Sequence, residues 1–153
     1  MKVAFTGTRE GLTTAQRDAF EQHFIRLGVT HFHHGACIGA DAEVAAWVIS
    51  ARMPQPPNSA IRPLPVWCKV HAHPSDLYGM TFHEVIELGD FSYPPKPPLN
   101  RNRDIVDACD VLVACPQGPE RQRSGTWATI RYARKLRKKV VICWPDGQVT
   151  EEN

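Results

Sequence analysis

The sequence predicts an α/β domain built on one mainly parallel sheet with helices on both faces, and three observations carry that prediction. Short apolar runs rich in β-branched residues alternate with longer stretches at helical spacing. Glycine-bearing turns follow the apolar runs. The chain has 153 residues, enough to bury one core and too few for two.

Element by element, "KVAFTG" reads as a strand near 2–7. Thr13-x-x-Gln16 forms a capping box that opens a helix to Leu27, with Ala19, Phe20, Phe24 and Leu27 as its apolar stripe and Gly28 as its stop. A strand near 30–34 and a helix near 40–52 follow. The next strand falls near 65–72, and helices near 81–88 and 101–108 lead to the strand "DVLVAC" near 110–115. A helix near 125–138 and a strand near 139–144 complete the alternation. Two proline-rich pieces, near 53–65 and 93–99, read as surface loops, so residues 1–153 form a single domain.

Composition narrows the function. Eighteen Lys and Arg against sixteen Asp and Glu leave a net charge of +2, so any basic site is local and no whole-molecule field draws in nucleic acid. Five cysteines, odd in number and without a C-x-x-C spacing, are expected to be reduced. No apolar run reaches membrane-spanning length and no signal-peptide pattern opens the chain. The expected setting is cytoplasmic, without membrane partners.

The special residues fall where strands end. Gly7-Thr8-Arg9 closes the first strand, Gly35 and Gly39 lie between the second strand and its helix, and Ser124-Gly125-Thr126 follows "DVLVACPQG". In an open parallel sheet the carboxyl ends share one edge, and ligands bind there where the strand order reverses. Helices beginning at Ala40, Arg101 and Thr126 would aim free amides and partial positive charge into that crevice, a setting that asks for phosphate. Arg9, Arg101 and Arg103 suit bidentate anion contacts, or else pair with Asp104 and Asp107. Asp41 serves either as an acceptor for ribose hydroxyls or as a helix N-cap.

"GTR" of 7–9, "GACIGAD" of 35–41, "NRNRDIVDACDVLVA" of 100–114 and "SGTWATIRYARKLRKKVVI" of 124–142 together resemble the Rossmann-like SLOG superfamily, which includes the DprA/Smf and LOG proteins. The resemblance implies a nucleotide-binding crevice lined by Gly7, Thr8, Arg9, Gly35, Gly39, Asp41, Arg101, Asn102, Arg103, Ser124, Gly125 and Thr126. It also implies a homodimer or higher oligomer, which four tryptophans and the proline-rich loops favour as well. LOG hydrolases carry a glutamate in a Gly-Thr-x-x-Glu motif, and Thr129 stands at that position here. The leading expectation is therefore a binding module or sensor for a nucleotide or nucleotide-derived ligand, with no cofactor. A nucleotide N-glycosidase would have to draw its carboxylate from Asp41, Glu84 or Glu120. A DprA-like module would take single-stranded DNA.

Other groupings carry less. His31/His33 and His71/His73 each share a strand face, but no third ligand has a metal-site spacing, so no metal is expected. His34 and His73 read as polar lining of the crevice, and nothing in the sequence orients Cys37 as a nucleophile. Arg131, Arg134, Lys135, Arg137, Lys138 and Lys139 read as a solvated helix end, and Trp127 as core or as a base-stacking ring.

Overall fold

The computed structural model describes residues 1–59, 63–64, 67–77 and 89–153. Its strands are β1 (Lys2–Gly7), β2 (His31–His34), β3 (Lys69–Ala72), β4 (Phe91–Ser92), β5 (Val111–Cys115), β6 (Lys139–Cys143) and β7 (Val149–Glu152). The helices are α1 (Thr14–Arg26), α2 (Ala40–Arg52), α3 (Pro98–Asp107) and α4 (Gly125–Lys135). Sheet order is β4-β3-β2-β1-β5-β6-β7, parallel except for the β6–β7 hairpin. The chain runs outward from β1 through β2, β3 and β4, then returns to place β5 on the other flank. The order therefore reverses between β1 and β5.

Alternation along β1 explains the two-layer cover. Val3 and Phe5 face α1 and α2, in a core with Phe20, Phe24, Phe32, Val44, Val48, Val113 and Val141. Ala4 faces the other way, with Leu112, Ala114, Val140 and Ile142 against Ile105, Val106, Trp127 and Ile130 of α3 and α4. The continuous apolar run of β5 is that of a strand buried on both faces.

Several expectations are corrected. α3 begins three residues before the expected start, because Pro98 suits the first helical turn, where no amide partner is lost. α4 ends at Lys135, where Arg137 takes a positive φ of 53°. β4 and β7 were not foreseen: β4 has two residues, and β7 is a polar edge strand without an apolar pattern. Half of the capping box forms, since Thr13 Oγ1 accepts from the Gln16 amide at 3.0 Å while the Gln16 side chain turns inward. Its Nε2 donates to the carbonyls of Pro116 at 2.9 Å and Cys143 at 2.8 Å, clipping β5 to β6. The helix expected near 81–88 lies outside the described residues. All five cysteines are free, and Cys37 alone among them is not buried.

Candidate functional site

A crevice of about 690 Å³ opens at the carboxyl ends of β1 and β5, within the size range of small-ligand sites. Gly7, Thr8, Arg9, Gly35, Asp41, Arg101, Asn102, Ser124, Gly125 and Thr126 all line it. Residues separated by more than a hundred positions meet because each turn leaves a parallel strand at the same edge.

Three helices point toward this edge, and they differ. The first amide of α2 is taken by the Thr8 carbonyl at 2.9 Å, and its first turn already carries Asp41 and Glu43. α3 opens with Pro98, which has no amide to offer, and Arg101 lies one turn inside. α4 has no acid in its first turn. Ser124 caps it by accepting from the Trp127 amide at 3.3 Å, which leaves the Gly125 and Thr126 amides without intrahelical partners. A Cβ built at Gly125 would meet no atom within 4 Å, so this helix end is open to a ligand.

Asp41 and Arg101 tie together the turns that form the crevice wall. Arg101 is buried, and its guanidinium donates to the carbonyls of Gly35 and of His73 and to Cys37 Sγ, the last two at 3.3 and 3.2 Å. It thus ties α3 to the ends of β2 and β3; its Nε has no hydrogen-bond partner among the described residues. Asp41 Oδ2 accepts from the Gly35 amide at 2.9 Å and the Cys37 amide at 3.5 Å. Burial pushes the Asp41 carboxyl up to about 6, although Arg101 and the amides of Cys37, Gly35 and Gly7 pull the other way. Asp41 is not the N-cap of α2; that position is Gly39. Its acceptor capacity holds the turn around Gly35, where any side chain would strike both Arg101 and Asp41.

The structure moves other expected residues off the crevice. Arg103 faces the groove between α3 and α4, with its guanidinium 5.7 Å from the centre of the Tyr132 ring. Two positions along a helix turn a side chain by about 200°, so Arg101 and Arg103 cannot share a face. Gly39 lies behind the wall with φ 83°, where a Cβ would collide with the Arg9 backbone. Glu120 is exposed and pairs with Arg131 and Arg134 at 3.2 and 3.0 Å, away from the lining. Glu84 lies outside the described residues. Trp127 stays at the crevice wall although it is buried, its indole donating to the Gly118 carbonyl at 3.2 Å, and Thr126, also in the lining, donates from its Oγ1 to the Gly7 carbonyl at 2.8 Å.

Sequence reading missed the loop between β5 and α4. Gln117, Gly118, Pro119, Arg121 and Arg123 all line the crevice. Arg121 is steadied by Gln117 at 3.0 Å, and Arg123 adopts a positive φ of 58° immediately before the cap of α4. The available signal was a Gly-Pro turn followed by two arginines directly ahead of a helix start. Glu10 is a further missed lining residue.

The histidines form a ladder on the face of β2 and β3 opposite Phe32 and Val70. His31 Nδ1 lies 2.9 Å from His71 Nε2 and His33 Nδ1 lies 3.0 Å from His73 Nε2. The His33 and His71 rings stack at 4.3 Å, as do those of His73 and Tyr93. Burial, reinforced by neighbouring histidines, pushes His33 and His73 down to about 3. Each close pair shares a hydrogen bond, which needs one protonated and one bare nitrogen. Among the described residues, no group of three or more His, Cys, Asp or Glu side chains is placed to hold a metal. His34 is fully buried and accepts from the Ala36 amide at 3.2 Å, while His73 reaches the site through its backbone carbonyl, which holds Arg101.

The fold and site define an α/β domain with a cationic crevice at the switch point of its sheet. Comparison of the chain with family models, with curated proteins and with solved structures finds no match to any of them. Among the described residues, no helix is long and apolar enough to cross a membrane.

Proposed function

We propose that the crevice binds a nucleotide or nucleotide-derived small molecule, in the manner of a SLOG-type binding module or sensor. The observation that carries the reading is the open amino terminus of α4 at the strand-order reversal, with Gly125 bare and Arg9, Arg121 and Arg123 around it. A phosphate placed there takes the amides of Gly125 and Thr126 and gains from the helix dipole. Four arginines against Glu10 and Asp41 leave the lining cationic. Arg101 acts as a strut in this reading rather than as a phosphate ligand. A thermal-shift screen across nucleoside mono-, di- and triphosphates tests the proposal. A ligand at about 100 times its dissociation constant adds roughly 2.7 kcal/mol, and the gain should shrink in Arg123→Ala. No stabilisation by any nucleotide would reject it.

One observation favours a hydrolytic variant of the same reading. Asp41 is a crevice carboxyl displaced toward neutrality, the condition of a general acid or base. Release of free base from a monophosphate, abolished in Asp41→Asn with nucleotide binding retained, would establish it. We further propose a homodimer or higher oligomer, supported by the exposed rings of Trp67, Phe91 and Tyr93. A monomer mass by light scattering at micromolar concentration would reject that.

A further inference from the structure

A second cavity, of about 540 Å³, lies between α3 and α4. Leu99 and Arg103 share one stripe of α3, while Ala128, Arg131, Tyr132 and Lys135 share one of α4, at spacings that stack side chains on a helix face. The lining holds three cations and no carboxylate. Of the neighbouring acids, Asp104 pairs with Lys96 at 2.5 Å, while Asp107 accepts from the Tyr132 hydroxyl at 3.0 Å and Glu120 pairs with Arg131 and Arg134, so two of the three reach side chains of the lining. Arg131 is therefore partly neutralised, and Arg103 and Lys135 supply the groove's positive charge.

The groove does not stand alone. Asn102 and Thr129 line both it and the crevice, so the two cavities meet at a shared wall. That wall is uncharged. The Thr129 hydroxyl donates to the Gly125 carbonyl at 2.9 Å, and Asn102 carries an amide able to serve a ligand on either side. Neither residue would present a like charge to an anionic ligand that reaches from one cavity to the other. Stacking of Arg103 on Tyr132 covers one face of that ring, so the groove offers charge more than a platform for a base.

We infer that the crevice and the α3–α4 groove form one continuous site for a small nucleotide-derived ligand with two separated anionic groups, the second held by Arg103 and Lys135. The inference rests on the nucleotide reading of the crevice and specifies its ligand as dinucleotide-like. Two cations at one end, of which Arg103 rests on the Tyr132 ring, and a helix amino terminus at the other select for the separation of the anionic groups as well as for their charge.

The test compares nucleoside 5′-monophosphates with 5′-phosphorylated dinucleotides of the same base, by titration calorimetry on the whole protein. The dinucleotide should bind at least tenfold tighter. The double variant Arg103→Ala/Lys135→Ala should return its affinity to that of the monophosphate and leave monophosphate binding unchanged. Both side chains are exposed, and an unchanged melting temperature confirms that the variant folds. Equal affinity for the two ligands, or an advantage that survives the double variant, overturns the inference and leaves the crevice reading intact. Failure of every monophosphate and every dinucleotide to bind overturns both. Affinity that keeps climbing with each nucleotide beyond two would show a polynucleotide track and also overturn it.

Discussion

The two halves of the sheet, divided at β1, are held by different chemistry. On the β5–β6 side both faces are apolar, and Leu112, Val113, Val140 and Val141 are fully buried under helices. On the β2–β3 side one face is equally apolar, with Phe32 and Val70 under α1 and α2. Its other face carries His31, His33, His71 and His73, with His33 opposite His71 and the hydrogen-bonded pairs running diagonally as His31–His71 and His33–His73. The first half is stabilised by area removed from water, which is indifferent to pH. The second depends on hydrogen bonds between imidazoles that lose their acceptor nitrogen when protonated. The crevice lies where the halves join.

The largest effects should come from the apolar layers that helices cover on the two faces of the sheet. Phe24→Ala removes a ring that packs edge-on to Phe32 at 5.3 Å and against Phe20 at 5.2 Å, and should cost about 3–5 kcal/mol. Ile130→Ala, on the opposite layer, should cost about 2–5 kcal/mol. Urea denaturation measures both. Costs that changed strongly with pH would break the comparison.

The histidine half should reveal itself through acid. His33 and His73 titrate near 3 in the fold against an ordinary 6.5, so below pH 6.5 the unfolded chain binds protons that the native state refuses. Stability therefore falls as pH drops from 6.5 toward 3, by about 1.4 kcal/mol per pH unit for each such proton. Asp41 works in the opposite sense, because its raised pKa gives a contribution present below 3.8 and lost as pH rises through about 6. Asp41→Asn should therefore steepen the acid loss, and His33→Phe should flatten it. Denaturation midpoints between pH 7.5 and 4.5 decide the matter. A flat wild-type profile would remove the distinction between the halves.

Arg101 and Arg103 repeat the lesson on a smaller scale. Arg101→Ala strips partners from the carbonyls of Gly35 and His73 and should cost about 1.5–3 kcal/mol. Arg103→Ala, at an exposed surface, should stay within about 0.5 kcal/mol. Chemical denaturation of the pair checks the contrast, and equal costs would contradict the strut role.

Strands β1, β5 and β6 were legible because each is a short apolar run with β-branched residues, and the crevice was legible because glycines and arginines follow such runs. What the sequence concealed were side-chain destinations. "RNR" reads as a doubled anion grip, yet helical rotation sends Arg101 inward and Arg103 to another groove. Asp41 reads as a ligand or a cap, and neither pattern shows that its Oδ2 will accept from the backbone amides of Gly35 and Cys37. Arg121 and Arg123 sit in a loop without periodicity, so only the positions of Gly118 and α4 place them at the site. β7 has no apolar alternation at all, since it is held by backbone pairing to β6 and by the grip of Arg134 on Glu152 at 2.7 and 2.8 Å.

The smallest expected change in stability is also the sharpest test of where the halves meet. A methyl group at Gly125 would contact nothing in the protein, so Gly125→Ala should alter stability by no more than about 0.5 kcal/mol. The same methyl would project where an anion must approach the first amides of α4, and nucleotide affinity should fall about tenfold, or about 1.4 kcal/mol. Gly39→Ala makes the converse case, since φ 83° and contact with the Arg9 backbone tie that glycine to the fold. It should lower the denaturation midpoint clearly, and any loss of affinity should follow from the loss of structure. Titration of both variants with the best nucleotide from the thermal-shift screen separates the two effects. If Gly125→Ala binds as tightly as the wild type, the phosphate does not sit on α4, and the two halves of the sheet meet at a crevice whose anion lies elsewhere along its arginines.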